Sequence, residues 1–333
     1  METRRDVLKD DAITTRGLQA IVEECPHTDS TNVLTTDWCV VNVSVCNLRQ
    51  SGSYTAIGRS QALLGTPLRI LQKSTTWWEV EAPDHLTAWV HPSALKEVTR
   101  DELSTWNRQR QVVVTATYAF VYQLPSAKAQ TVSDVVAGDR LKLVSCRDRY
   151  FYVEYPDGRQ GFIRRADSEE LSSWRQRITH TPESIINTAQ KLMGIPDMAS
   201  GTSTKGVDAD GLIRTVLIQH DILVPHDMIR QANMGVRIFT AASLDNLNPG
   251  DLLVFGNKNE NKEDDVVIKH VGLYIGNGQF IHCYGWVKTN SLLPTGKNYD
   301  KYYRDHLLWA QRFLPFVNKS SDLKTTDQIA MYQ

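Results

Sequence analysis

Two histidines, His270 and His282, stand twelve residues apart on either side of an Asn277-Gly278 pair. Asn-Gly between apolar alternations is a strong hairpin signal. The spacing therefore predicts neighbouring strands whose two imidazoles share one face. A histidine oriented by a second polar group is a common general base for a side-chain nucleophile. Upstream, in "GVDADGL" (206–212), Asp208 and Asp210 flank Ala209 where an apolar helical pattern begins, the layout of a catalytic residue held at a helix N-terminus. A helix N-terminus depresses the pKa of a thiol placed there, but Ala209 offers no nucleophile.

The same residues admit other readings. Asp-x-Asp at a helix start serves as a cap and a dipole partner. Asp208, Asp210, His270 and His282 are also oxygen and nitrogen donors of the kind zinc accepts. The cap is the preferred reading, and neither a metal nor a cofactor is expected. Cys283 beside His282 could be a relocated nucleophile, yet strand alternation sends neighbours to opposite faces and Cys283 to the core.

The elements that would position these groups fill residues 178–316. Thr181-Pro182-Glu183 starts a helix, with Thr181 as cap and Pro182 at the first helical position, and Gly194 ends it. A second helix covers Leu212 to His220, and strands follow at 249–256, 269–285 and 306–313. Helices first and an antiparallel sheet afterwards make an α+β domain. The run "NKNENKEDD" (257–265) reads as a solvated loop on the way to His270, and Tyr302, Tyr303 and Trp309 as packing residues.

Before this domain the chain repeats itself without gaps. "GTPLRILQ" from Gly65 returns 73 positions later as "GDRLKLVS" from Gly138, and "VEAPD" (80–84) returns as "VEYPD" (153–157). Trp89-Val90 returns as Phe162-Ile163 at the same offset. Two copies of one unit of short strands separated by turns predict two small barrels, at 37–100 and 110–170. Their polar linkers, 103–111 and 171–179, carry one Trp each; residues 1–36 read as an N-terminal arm and 317–333 as a C-terminal tail.

Composition narrows the partners. A net charge of −1 gives no reason to expect nucleic acid or an anionic membrane, and no apolar run reaches membrane-spanning length. The five cysteines lack Cys-x-x-Cys spacing, which argues against a structural zinc site or a disulfide framework. Cys39 and Cys46 are expected in barrel cores. No signal-peptide pattern opens the chain. The expected location is the cytoplasm, or the cell envelope or periplasm if a leader has been removed.

On "KGVDADGL", "NLNPGDLLVF" and "HVGLYIGNGQFIHC" the third segment resembles the NlpC/P60 family, papain-like cysteine peptidases that cut bacterial cell-wall peptides. The two repeats resemble bacterial SH3 domains, and the arrangement resembles the γ-D-glutamyl-L-diamino acid endopeptidase subgroup, over about residues 39–315. The resemblance implies an α+β papain-like domain preceded by two SH3-like barrels packed against it. It places His270 at the base position, His282 at the orienting position and Ala209 at the position of the missing catalytic Cys. It makes Asp208, Asp210, Asp227 and Asp197 candidate substrate-binding residues, with Asp208 meeting substrate backbone and Asp227 the free amino end of the peptide. The family's serine after the nucleophile is Asp210 here, its oxyanion tyrosine Asp197 and its tryptophan wall Ala199. The usual arginine before Asp227 is His226, and the serine after it is Met228.

A methyl group forms no acyl-enzyme, and losing such a nucleophile costs ~10⁶ in kcat. A carboxylate at Asp197 opposes developing negative charge. The expectation is an inactive pseudoenzyme, a monomer, that binds murein peptides, muropeptide fragments or a protein partner. The alternatives are an active cysteine endopeptidase captured with a Cys→Ala change, and a structural scaffold. An engineered change accounts for Ala209 but not for Asp197, Ala199, Asp210, His226 and Met228.

Overall fold

The computed structural model describes residues 37–240, 243–259 and 262–333. The expected N-terminal arm and Cys25 lie outside the described residues. The 73-residue repeat is a repeat of structure. Each copy forms one seven-stranded antiparallel sheet, and the strands follow the same spatial order, third-second-sixth-fifth-fourth-first-seventh, in both. The strand Val45–Arg49 of the first copy corresponds to Tyr118–Tyr122 of the second. Each barrel closes on its own apolar core, around Leu48, Leu68, Val80 and Val90 in one and Val121, Leu141, Val153 and Ile163 in the other. Cys39 and Cys46 are buried in the first core, as expected.

The two linkers are not simple polar connections. Each is a short helix, Arg100–Arg108 and Leu171–Arg177, whose Trp106 or Trp174 is buried. An indole of that size covers more apolar surface than the polar residues beside it suggest.

The third domain sets helices on one antiparallel sheet, an α+β arrangement. The sheet runs in the order Val236–Ile238, Leu307–Arg312, Leu252–Asn259, Lys262–Gly276, Gln279–Tyr284, Trp286–Ser291. The helix Pro182–Lys191 starts as its cap predicts, with Thr181 Oγ1 accepting from Ser184 N. With Ala209–Ile218 it packs on Leu252, Val271, Ile281 and Cys283. Asn277 and Gly278 take positive φ, 52° and 73°, and close the predicted hairpin. The expected loop at 257–265 is corrected: strands Leu252–Asn259 and Lys262–Gly276 run on as a ribbon, with Asn259 opposite Lys262. Backbone pairing overrides the polar side chains that suggested a loop.

The end of the chain clamps the parts together. Lys324 and Thr325 pair with Leu223 and Ile222. Thr326 Oγ1 bonds the buried carboxylate of Asp221, which also takes Arg140 of the second barrel and Arg175 of its linker helix, each at 2.8 Å. Arg214 on the helix Ala209–Ile218 meets Asp84 of the first barrel in a second buried ion pair.

Candidate functional site

Asp208 caps the helix Ala209–Ile218: Oδ1 accepts from Gly211 N and Oδ2 from Ser200 N, both at 2.9 Å. A Cβ on Gly211 would fall 1.9 Å from the Gly201 carbonyl oxygen. Only glycine lets the helix start lie so close to that loop. The loop in turn is fastened to the first barrel, Ser200 Oγ to Gly58 O and Thr202 N to Gln61 Oε1. Ala209 therefore sits 9% exposed in the first turn of a fixed helix.

His226 joins this cluster. Its Nε2 lies 2.8 Å from Asp208 Oδ1 and 3.6 Å from Asp210 Oδ2, and its Nδ1 lies 2.9 Å from the Arg59 carbonyl. Both ring nitrogens face acceptors, so both must carry protons. Burial pulls the His226 pKa down, but the Asp208 hydrogen bond and the two carboxylate charges outweigh it and hold the pKa above its ordinary value. Asp210 is raised, first by burial and then by the nearby Asp208 charge, against the pull of His226.

His270 and His282 meet as the hairpin spacing predicts, His270 Nε2 to His282 Nδ1 at 2.8 Å. A Cβ on Gly272 would reach 2.9 Å from the Phe280 ring and 3.3 Å from His282 Cβ, so glycine leaves room for the diagonal pair. The chain continues: His282 Nε2 faces Asn290 Oδ1 at 3.2 Å, and Asn290 Nδ2 donates to Asp300 Oδ2 at 2.9 Å. That order fixes the tautomers. Asn290 presents its oxygen, so His282 Nε2 is protonated and Nδ1 accepts from His270 Nε2–H. His270 Nδ1 is left as the nitrogen with a free lone pair. Burial, with the neighbouring His282 and Lys288, pushes His270 down to about 3. Burial likewise takes His282 to about 4. Both rings are neutral at pH 7, and Ala209 offers no thiolate to favour an imidazolium.

The alternative zinc set of Asp208, Asp210, His270 and His282 is not brought together by this geometry. Asp208 and Asp210 gather with His226, their ligand atoms within 4.8 Å, and not with His270 and His282, which bond each other. His226 gives both nitrogens to hydrogen bonds there, which suits an ion pair. Cys283 is 2% exposed, its thiol donates to Val207 O at 3.2 Å, and burial pushes its pKa up to about 12. It is no nucleophile, but it ties the histidine strand to the segment leading into Ala209. Asp227 is exposed and caps Met228–Gln231 through Ile229 N. Asp197 is exposed and accepts from Gly285 N at 3.0 Å.

Residues 198–312 match the NlpC/P60 family. Across 125 residues, 37% of this chain and 69% of the other, the sequence is 30% identical to the probable endopeptidase NlpC of Escherichia coli. The chain belongs to the NlpC/P60 family. A γ-D-glutamyl-L-lysine dipeptidyl-peptidase of Bacillus cereus is 28% identical over 262 residues, 77% of this chain and 75% of that protein. The crystal structure of an NlpC/P60 family protein from Bacillus cereus superposes with a TM-score of 0.70 at 23% identity, over 84% of this chain and 100% of that one. The fold, two barrels before a papain-like domain, is thus shared.

Three groups around this NlpC/P60 site escaped the sequence reading. Asn290 and Asp300 extend the histidine pair, and Tyr303, expected only to pack, lies 5.1 Å from the His270 ring and 4.7 Å from the His282 ring. Asn290 had a usable signal: it lies eight residues beyond His282 on the following strand. His226 was noticed as a replacement for arginine, without its two carboxylate partners.

Proposed function

We propose that this NlpC/P60 protein binds murein peptides of the L-Ala-γ-D-Glu-diamino acid type without cleaving them. The observation that carries the reading is Ala209 at the capped helix start, where a papain-like thiolate would stand, on a helix packed against the strands that hold the ordered pair His270–His282. Supporting it, the charges around the position differ together: Asp210 and His226 form one ionic cluster with Asp208, and Asp197 adds a further carboxylate. The candidate ligand contacts are Asp208, Asp227 and Asp197, the last two exposed. The relatives named for γ-D-glutamyl-L-lysine peptides supply the ligand class.

A second reading is an active cysteine endopeptidase carrying a Cys→Ala change at position 209. The continuous His270–His282–Asn290–Asp300 chain favours it, because that chain is what a working base requires. The variant Ala209→Cys separates the two. If the ionic cluster and Asp197 have removed the chemistry, the variant releases no L-Ala-D-Glu from L-Ala-γ-D-Glu-L-Lys. Rapid release would establish the second reading instead.

A further inference from the structure

The strands Gln279–Tyr284 and Trp286–Ser291 join in a turn at Gly285, which takes φ 74°. Tyr284 pairs with Trp286 across that turn, and Lys288 pairs with His282. Strand alternation keeps His282 and Tyr284 on one side of the sheet, with Trp286, Lys288 and Asn290 beside them. The histidine pair therefore continues outward into two rings and an ammonium group. Tyr284 is 66% exposed and Trp286 54%, and a Cβ on Gly285 would meet nothing within 4 Å. Packing within the chain does not account for two large rings at so open a turn.

The Lys288 Nζ lies 4.8 Å from the centroid of the Trp286 ring and 5.2 Å from that of Tyr284. Lys288 is half-buried and forms no ion pair among the described residues. Ring faces hold an ammonium in place without neutralising it. Its charge also reaches the histidines: after burial, Lys288 contributes to the lowered pKa of both His270 and His282.

The patch is tied to the segment that leads into Ala209. Pro196 bridges to Trp286, Asp197 bridges to Val207, and Gly285 N donates to Asp197 Oδ2. The first barrel flanks the helix start through Arg59 and His226, and the turn at Gly285 flanks it on the side of the sheet. The two flanks differ in charge. Asp208, Asp210 and Asp227 gather near the first, and Lys288 stands at the second.

We propose that Lys288, framed by Tyr284 and Trp286, is the subsite for the terminal carboxylate of the bound peptide, and selects peptides that end at the diamino acid. The assignment rests on the murein-peptide reading above. With its amino end at Asp227, the peptide runs past Ala209 toward the strand pair, and its last carboxylate meets an ammonium that has no other anionic partner. A charge-assisted hydrogen bond to that ammonium is directional and distinguishes a carboxylate from an amide. The two rings offer their faces to the methylene chain of the diamino acid.

The test is calorimetry of the full chain with L-Ala-γ-D-Glu-L-Lys and with the same peptide ending in a carboxamide. The free acid is expected to bind about tenfold more tightly. Lys288→Gln should remove the preference by weakening the acid alone, and Lys288→Arg should keep it. Trp286→Ser, at an exposed position, should weaken both peptides together; binding unmoved by it overturns the part given to the rings. Equal binding of acid and amide by the unaltered protein overturns the assignment without any variant and leaves the cleft reading standing. A preference that survives in folded Lys288→Gln overturns the assignment in the same way. Binding of neither peptide overturns the cleft reading and the assignment with it.

Discussion

His226 and Asp208 form an ion pair at the start of the helix Ala209–Ile218, with 2.8 Å between Nε2 and Oδ1. The pair accounts for how two carboxylates, Asp208 and Asp210, tolerate one partly buried helix start. The helix dipole favours them, and the imidazolium supplies the opposite charge. His226→Gln removes that charge and is expected to cost about 2 kcal/mol of stability, below the range for fully buried pairs because Asp208 is 26% exposed. The raised His226 pKa fixes the pH sense: its contribution is complete below about pH 6.5 and is lost as the pH rises through the folded-state pKa. Urea denaturation of both proteins at pH 6 and pH 9 should show the gap narrowing at the higher pH.

Three buried histidines act in the opposite sense. Burial lowers His220 to about 4, His270 to about 3 and His282 to about 4. They are neutral in the fold, and unfolding lets them take up protons. Stability therefore falls as the pH drops below about 6.5, and the loss is complete only below these folded-state values. Melting temperatures measured from pH 7 to pH 4.5 should decline. The decline should be shallower in a His270→Gln, His282→Gln double variant; an equally steep curve would contradict this assignment.

The ion pair between Arg214 and Asp84 fastens the helix Ala209–Ile218 to the first barrel, with side chains 9% and 4% exposed. Burial works to raise Asp84, but the Arg214 charge and hydrogen bond outweigh it and hold the carboxyl below its usual range. Arg214→Met leaves that carboxylate buried without its partner, at a cost of about 3–5 kcal/mol. The combined change with Asp84→Leu should recover much of the loss. A double variant no more stable than Arg214→Met would show that the pair does not act as a unit.

Much of this architecture was legible from residue patterns. The 73-residue repeat gave both barrels because duplicated turns and core positions are local signals. The spacing of His270 and His282 around Asn277-Gly278 gave their contact, because a two-residue turn fixes register. The pairing of residues 257–259 with the strand Lys262–Gly276 was not legible, since polar side chains conceal backbone pairing. Nor were the partners of His226, which come from two separate stretches: Arg59 in the first barrel, and Asp208 and Asp210 beyond 140 further residues. Contacts of that range leave no periodic trace. Trp106 and Trp174 were placed in linkers because burial of one large ring does not show in the polarity of its neighbours.

On the proposed reading, the emptied site still holds its ligand. This is tested most directly by titrating the protein with L-Ala-γ-D-Glu-L-Lys in a calorimeter and analysing the recovered peptide by mass spectrometry. Saturable heat and a peptide recovered intact are expected. No heat at millimolar peptide, or recovery of L-Ala-D-Glu and lysine, would contradict it.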